Sequence, residues 1–184
     1  MASAFGHAVL GATLGKLLLP ERRHWPYWVA AAACAALPDI DALGHRLGVP
    51  YGSLWGHRGL THSLLAAAVV AAVGAGVAGA RRTGRRSPPG RVAALLFLAT
   101  ASHGLLDALT TGGLGVAFFS PWNVERYFFG FRPIQVSPLS IKAFIGAKGL
   151  RVLASEARWV GLPCLLVLGL QAVLRRPTFN RSGR

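Results

Sequence analysis

The chain has 184 residues, 53% of them hydrophobic and only 14% charged, with a mean hydropathy of +0.45. That length predicts one domain, and that apolarity excludes an ordinary soluble domain in favour of membrane spans. The formal net charge of +14 lies in short clusters between apolar runs, at Arg22-Arg23, Arg81-Arg82, Arg85-Arg86 and Arg175-Arg176. This is the loop pattern of a membrane protein facing anionic lipid, and no recognised nucleic-acid motif accompanies it.

The first predicted element is a helix over residues 5–19, ended by Pro20. His7, Gly11 and Gly15 recur every four residues, so they share one face on which a neighbouring helix can approach closely and His7 faces protein. Residues 1–6 carry no basic n-region, and His7 and Lys16 interrupt the apolar stretch, so no cleaved signal peptide is expected. A second apolar stretch covers residues 25–37; Trp25, Tyr27 and Trp28 lead it like an interfacial belt and Pro38 breaks it. At about 1.5 Å per residue neither stretch reaches the ~30 Å of a hydrocarbon core, which leaves full spanning open for both.

Residues 42–60 are glycine-rich, contain Pro50 and predict a loop. Ser63 to Ala80 is a convincing span, followed by a basic linker at 81–91 with five arginines and a fourth helix from Val92 to about Leu109. Residues 110–155 are mixed, with an aromatic segment in which short strands or a hairpin are expected around Tyr127 to Val136. A last helix is expected from Glu156 to Leu174, and a basic tail at 175–184 closes the chain. The fold class is therefore all-α: one membrane-embedded domain over 1–184, a bundle of about five helices with a small aromatic loop or hairpin inserted between the last two. Cys34 and Cys164 lie in apolar runs without a Cys-x-x-Cys pattern and read as small buried hydrophobes.

Against this background the polar residues stand out. Only six residues are acidic, and two of them fall in Leu37-Pro38-Asp39-Ile40-Asp41, shortly before His57-Arg58-Gly59-Leu60-Thr61-His62. His103 and Asp107 follow near the end of the fourth helix, four residues apart and so on one face. Placing the arginine clusters in the cytoplasm sends His7, Asp39, Asp41, His57, His62, His103, Asp107 and Glu156 to one outer level. Ionisable groups at the ends of apolar segments are costly, and a shared level gives them a shared purpose.

Imidazole and carboxylate are the ligand set of Zn²⁺ and related ions such as Mn²⁺, and these eight residues are the expected metal ligands for one or two ions. A metal-activated hydroxide would be the nucleophile, with a spare carboxylate as general base. The catalytic candidates are Asp41, Arg58 and Glu125; Arg58, Arg126 and Arg132 are also candidates to grip an anionic substrate. Each residue has a blander reading. His103 and Asp107 alone are equally a hydrogen-bonded couple, Asp39 alone is a better helix cap than ligand, and His57 alone is a loop residue. His24 and His45 read as surface residues, and Thr61, Thr110 and Thr111 as partners for backbone near helix ends. The joint pattern carries the metal reading.

LPDID at 37–41, HRGLTHSL at 57–64, HGLLDALTTGG at 103–113 and PWNVERYFFGFRPIQVSP at 121–138 resemble the YdjM-like family, described as membrane-bound metal-dependent hydrolases. The resemblance runs from His7 to about Trp159. It implies an inner-membrane protein with a hydrolase site built on His7, Asp39, Asp41, His57, His62, His103 and Asp107. The order of histidines and aspartates is more loosely similar to zinc-dependent phospholipase C and related nucleases. No histidine follows Asp107, however, and Glu125 and Glu156 are the acidic residues left to replace one. The expected activity is hydrolysis of a phosphoester in an anionic lipid or lipid-linked substrate at the extracytoplasmic face of a multi-pass inner-membrane protein. A metal-ion transporter and a membrane protein with a structural metal are the alternatives; the bilayer is the expected partner, nucleic acid is not, and the oligomeric state is open.

Overall fold

The computed structural model describes residues 1–80, 87–138 and 140–175. Residues 81–86 of the basic linker with their four arginines, Leu139, the tail beyond Arg175 and the side chain of His45 lie outside the described residues. The described chain is helical: α1 (Ala4–Leu18), α2 (Trp25–Ala36), α3 (Ala42–Arg46), α4 (Leu64–Ala80), α5 (Pro89–Ala108), α6 (Ile141–Phe144), α7 (Ala147–Glu156) and α8 (Leu162–Leu174). It is the all-α bundle expected, with the chain folding α1 onto α2, α4 onto α5, and α5 into the angle between α1 and α2.

Glycine sets how closely the first two helices approach. A Cβ on Gly11 would lie 2.5 Å from the Ala31 carbonyl oxygen, and one on Gly15 2.7 Å from the Trp28 Cα. Both glycines are buried with His7 on the face predicted for them. Because lipid is as apolar as the helices, such close van der Waals contact is what holds membrane helices together. Leu19, Ala31, Ala35, Leu95 and Ala99 then form the core where α1, α2 and α5 meet.

α2 does not stop at Pro38. It tightens into a 3₁₀ turn over Leu37–Asp41, and α3 follows directly, within the stretch expected to be a loop. Pro38 sits in the first turn of the 3₁₀ segment, where its missing N–H costs nothing, so the chain re-aims without breaking. The two aspartates are thereby carried across the end of the bundle.

The last helix begins at Ala147, well before Glu156, and runs to Leu174 through a π-helical turn over Ala157–Gly161. Lys148 and Arg151 hid its first turns from a hydropathy reading. Gly149, Val152, Glu156, Val160 and Cys164 nevertheless form one buried stripe at helical spacing. The two long helices differ sharply in surroundings: 61% of the apolar window of α5 is buried, against 11% for Ala147–Leu174. α5 is the central helix, and the last helix offers most of its surface, Leu165, Leu166 and Leu170 included, to lipid.

No strand forms among the described residues. The aromatic segment makes two isolated bridges instead, Thr110 with Ile134 and Val116 with Tyr127. Further backbone bonds clamp it over the end of the bundle, from Ala117 N to Arg58 O and from Leu64 N to Phe118 O. Replacing Gly11 with valine should force α1 off α2 and destabilise the protein by about 1–3 kcal/mol, the usual cost of overpacking. Thermal unfolding in detergent measures it, and an unchanged midpoint would show that the helices can separate freely.

Candidate metal centre

The predicted residues arrive from four directions. His7 comes from the first turn of α1, Asp39 and Asp41 from the 3₁₀ turn after α2, His57 and His62 from the loop before α4, and His103 and Asp107 from the last turns of α5. Asp39, His62, His103 and Asp107 bring one donor atom each within 4.8 Å of the others. His103 Nε2 lies 2.9 Å from His62 Nε2 and 3.3 Å from Asp39 Oδ1, while His62 Nε2 lies 3.6 Å from Asp107 Oδ2 and 3.8 Å from Asp39 Oδ1. Ligands at about 2.0–2.1 Å from a tetrahedral ion stand roughly 3.3 Å apart, so this cage has the size of one small divalent cation.

The polar atoms around it also fit a cation. Both Asp39 carboxylate oxygens, His57 Nε2 and both ring nitrogens of His7 are buried without a hydrogen-bond partner. Buried polar groups are almost always paired, and several orphans at one place call for a ligand they can all serve. His7 stacks on His103 with ring centroids 3.7 Å apart and turns Nε2 towards Asp107 Oδ1 at 3.4 Å, so it borders the four-residue cage.

The remaining contacts aim these donors. His103 Nδ1 donates to the Ala35 carbonyl at 2.7 Å, which leaves Nε2 with the lone pair. His62 Nδ1 faces Asp41 Oδ2 at 3.2 Å, and His57 Nδ1 faces Asp41 Oδ1 at 2.5 Å. Thr61 Oγ1 also donates to Asp41 Oδ2. Both Asp41 oxygens are thus committed, and the residue orients two imidazoles, as carboxylates commonly do behind a metal. The second group that could hold an ion, Asp41, His57 and His62, shares His62 with the first. Thr61 and the Ala35 carbonyl carried no signal in the sequence that set them apart from ordinary helix-end residues.

Arg58, a catalytic and anion-gripping candidate from the sequence, is engaged with the protein itself. It is fully buried, its Nε lies 2.9 Å from Asp107 Oδ2, and its terminal nitrogens donate to Gly112 O and Thr110 Oγ1. Its backbone has φ +64°, an uncommon value for any residue but glycine, which persists only where the surroundings enforce it. Gly113, at φ +96°, lies so close that a Cβ there would be 2.5 Å from the guanidinium. Arg58 therefore braces Asp107. Arg126 is similarly committed, donating to the carbonyls of His57, Tyr51 and Ser53, and Arg132 lies exposed over the Phe128 ring.

Two predicted acids stand apart from the cage. Glu156 receives the Ser3 amide and hydroxyl at the start of α1, and its carboxyl packs against Gly6. Glu125 is exposed and accepts from the Tyr127 hydroxyl at 2.9 Å. His24, read as a surface residue, is buried at the opposite end of the bundle.

Burial works against charge on Asp41, but hydrogen bonds from His57 and His62 hold its carboxyl well below the usual carboxylate range. Burial likewise works against a charged His62, and the carboxylates of Asp107, Asp39 and Asp41 gathered around it overcome that cost, raising its pKa to about 10. At neutral pH, below that value, His62 holds a second proton that a metal must displace.

A helical membrane protein with a histidine–aspartate cage at one end of its bundle is the class this geometry defines. The chain belongs to the YdjM inner membrane protein family, whose sequence pattern matches residues 1–178. It is 39% identical over 164 residues to inner membrane protein YbcI of Escherichia coli (strain K12), an alignment covering 88% of this chain and 89% of that protein. No solved structure matches it.

Two outcomes follow for the detergent-purified protein. His103→Ala with Asp107→Ala should abolish bound metal measured by elemental analysis, whereas Asp41→Asn should weaken affinity roughly 10–100-fold, the usual effect of removing a carboxylate behind a ligand. Loading Zn²⁺ in weak buffer at pH 7 should release a proton, and retention should fall as pH falls, because the proton on His62 competes with the ion. Uptake without proton release would remove His62 from the ligand set.

Proposed function

We propose that this protein is a membrane-bound metal-dependent hydrolase acting on a phosphoester of an anionic lipid or lipid-linked substrate. The observation that carries the proposal is the donor cage itself: two imidazole nitrogens and two carboxylates on a cation-sized frame, with both Asp39 oxygens buried and without a hydrogen-bond partner. A divalent ion, with Zn²⁺ the first choice and Mn²⁺ the second, supplies Lewis acidity and makes water acidic enough to react near neutral pH. His62, His103, Asp39 and Asp107 hold it, with His7 beside them. Asp41, Arg58 and the Ala35 carbonyl keep those side chains aimed. Asp39 is the member whose side chain retains some exposure, 11%, and although its oxygens are buried neither is paired, so it is the carboxylate free to take a proton from water.

The side of the membrane belongs to the same proposal. Arg22, Arg23, Arg91 and Arg175 are exposed at the end of the bundle away from the cage. The positive-inside rule then sets the cage at the extracytoplasmic end. Low exposure of the cage also favours a second reading, a metal that is structural and has no open position. Reconstituted with Zn²⁺ or Mn²⁺, the protein should cleave an anionic phospholipid or a generic phosphodiester, and H103A/D107A should lose that activity. A metal-loaded protein that cleaves neither supports the structural reading and sinks the hydrolase.

A further inference from the structure

The opposite end of the bundle holds a second cavity that the metal centre does not use. It occupies about 480 Å³ between α2, α4 and α5, within the size range of small-ligand sites. Its upper wall is apolar, made by Ala30, Gly74, Ala78, Val92 and Leu96. Arg23, His24 and Tyr27 line its other end, at the start of α2. Since Leu96 and Gly74 each lie about two turns from the basic end of their helices, the apolar part is roughly 10 Å deep.

His24 gives this cavity a polar demand. Its side chain is 6% exposed, and both ring nitrogens are buried without a hydrogen-bond partner. The Tyr27 ring lies tilted beside the imidazole, with centroids 6.0 Å apart, and lines the same end of the cavity. Arg23 adds a cation beside it; one terminal nitrogen pairs with the exposed Glu21 at 2.8 Å, which leaves the other donors of the fork available. Arg22 is exposed on the same turn. An occupant must therefore be anionic and hydrogen-bond-accepting at one end and a narrow apolar chain at the other.

We propose that this cavity binds one anionic phospholipid, its phosphate on His24 and Arg23 and the first part of an acyl chain along Ala78, Gly74 and Leu96. A free phosphate would leave the apolar wall uncovered, and a neutral lipid would leave the basic mouth without its counter-charge. The site is separate from the metal centre and stands whether or not the protein is a hydrolase.

Native mass spectrometry of the full chain in micelles holding equal phosphatidylglycerol and phosphatidylcholine tests this. The wild type should retain one phosphatidylglycerol in preference to phosphatidylcholine, and inorganic phosphate alone should not displace it. Arg23→Ala and His24→Ala should each weaken retention about fivefold, the scale of one basic contact at a membrane surface. Ala78→Phe, which fills the apolar part, should abolish it, with helical content and metal loading unchanged; if that variant does not fold, His24→Ala decides. Equal retention of the two lipids, retention unaffected by His24→Ala, or displacement by phosphate would overturn the proposal. A dimer that covers the cavity and retains no lipid would overturn it in favour of a second copy.

Discussion

The ion pair between Asp107 and Arg58 is the contact around which the polar end of this protein is assembled. Both side chains are fully buried, and a lone buried carboxylate would cost several kcal/mol. Asp107 avoids that cost by drawing in groups from across the chain: the Arg58 Nε, the Ala2 amide at 2.7 Å, and the imidazoles of His7, His62 and His103. Each of these arrives on a different element, so the start of α1, the loop before α4 and the end of α5 are fixed against one another by one carboxylate. Arg58 in turn needs the Gly112 carbonyl, Thr110 and the space left by Gly113. The tie extends from there into the aromatic segment.

This arrangement explains why polar residues in the sequence separate into those that bind and those that brace. A metal cage needs donors with a free lone pair, and His103 keeps one on Nε2 because its Nδ1–H donates to the Ala35 carbonyl. Asp41 uses both oxygens on histidines and Thr61 and so serves the cage indirectly. Asp39, two residues away on a 3₁₀ turn, has neither oxygen engaged. The difference comes from which way the turn points each carboxylate, and two aspartates spaced by one residue look alike until the turn is built.

Much of the architecture was nevertheless readable in advance. The small-residue face of α1, the convergence of His7, Asp39, His62, His103 and Asp107 at one end, and the exposure of Arg22, Arg23, Arg91 and Arg175 at the other follow from periodicity and charge, which act locally. The extent of the last helix did not. Its first turns carry Lys148, Arg151 and a glycine, and only the burial of Val152 and Glu156 against α1 and its surroundings makes them helical in character. The bracing contact of Arg58 is hidden for a similar reason. The sequence offers it as a grip for an anionic substrate, and its burial depends on a carboxylate almost fifty residues later. Glu156 has the composition of a ligand, but the Ser3 amide and hydroxyl claim it first.

The depth of the cage bears on what it can serve. At about 1.5 Å per residue, the 20 residues of α5 match the ~30 Å hydrocarbon thickness, and His103 lies roughly 8 Å short of the helix end. Were α5 to fill the hydrocarbon core, the cage would sit below the level at which the helix leaves it, roofed by the aromatic segment. Around that roof Ile40, Leu47, Trp55, Trp122 and Ile145 are exposed, a collar suited to the headgroup boundary and unsuited to open water. A freely dissolved substrate would have to cross this collar to reach Asp39. A molecule already anchored in the membrane carries its headgroup at that depth without crossing anything. Within the proposed hydrolase, a cage at that depth would suit a lipid or lipid-linked phosphoester better than a soluble one, on grounds independent of the chemistry of the cage.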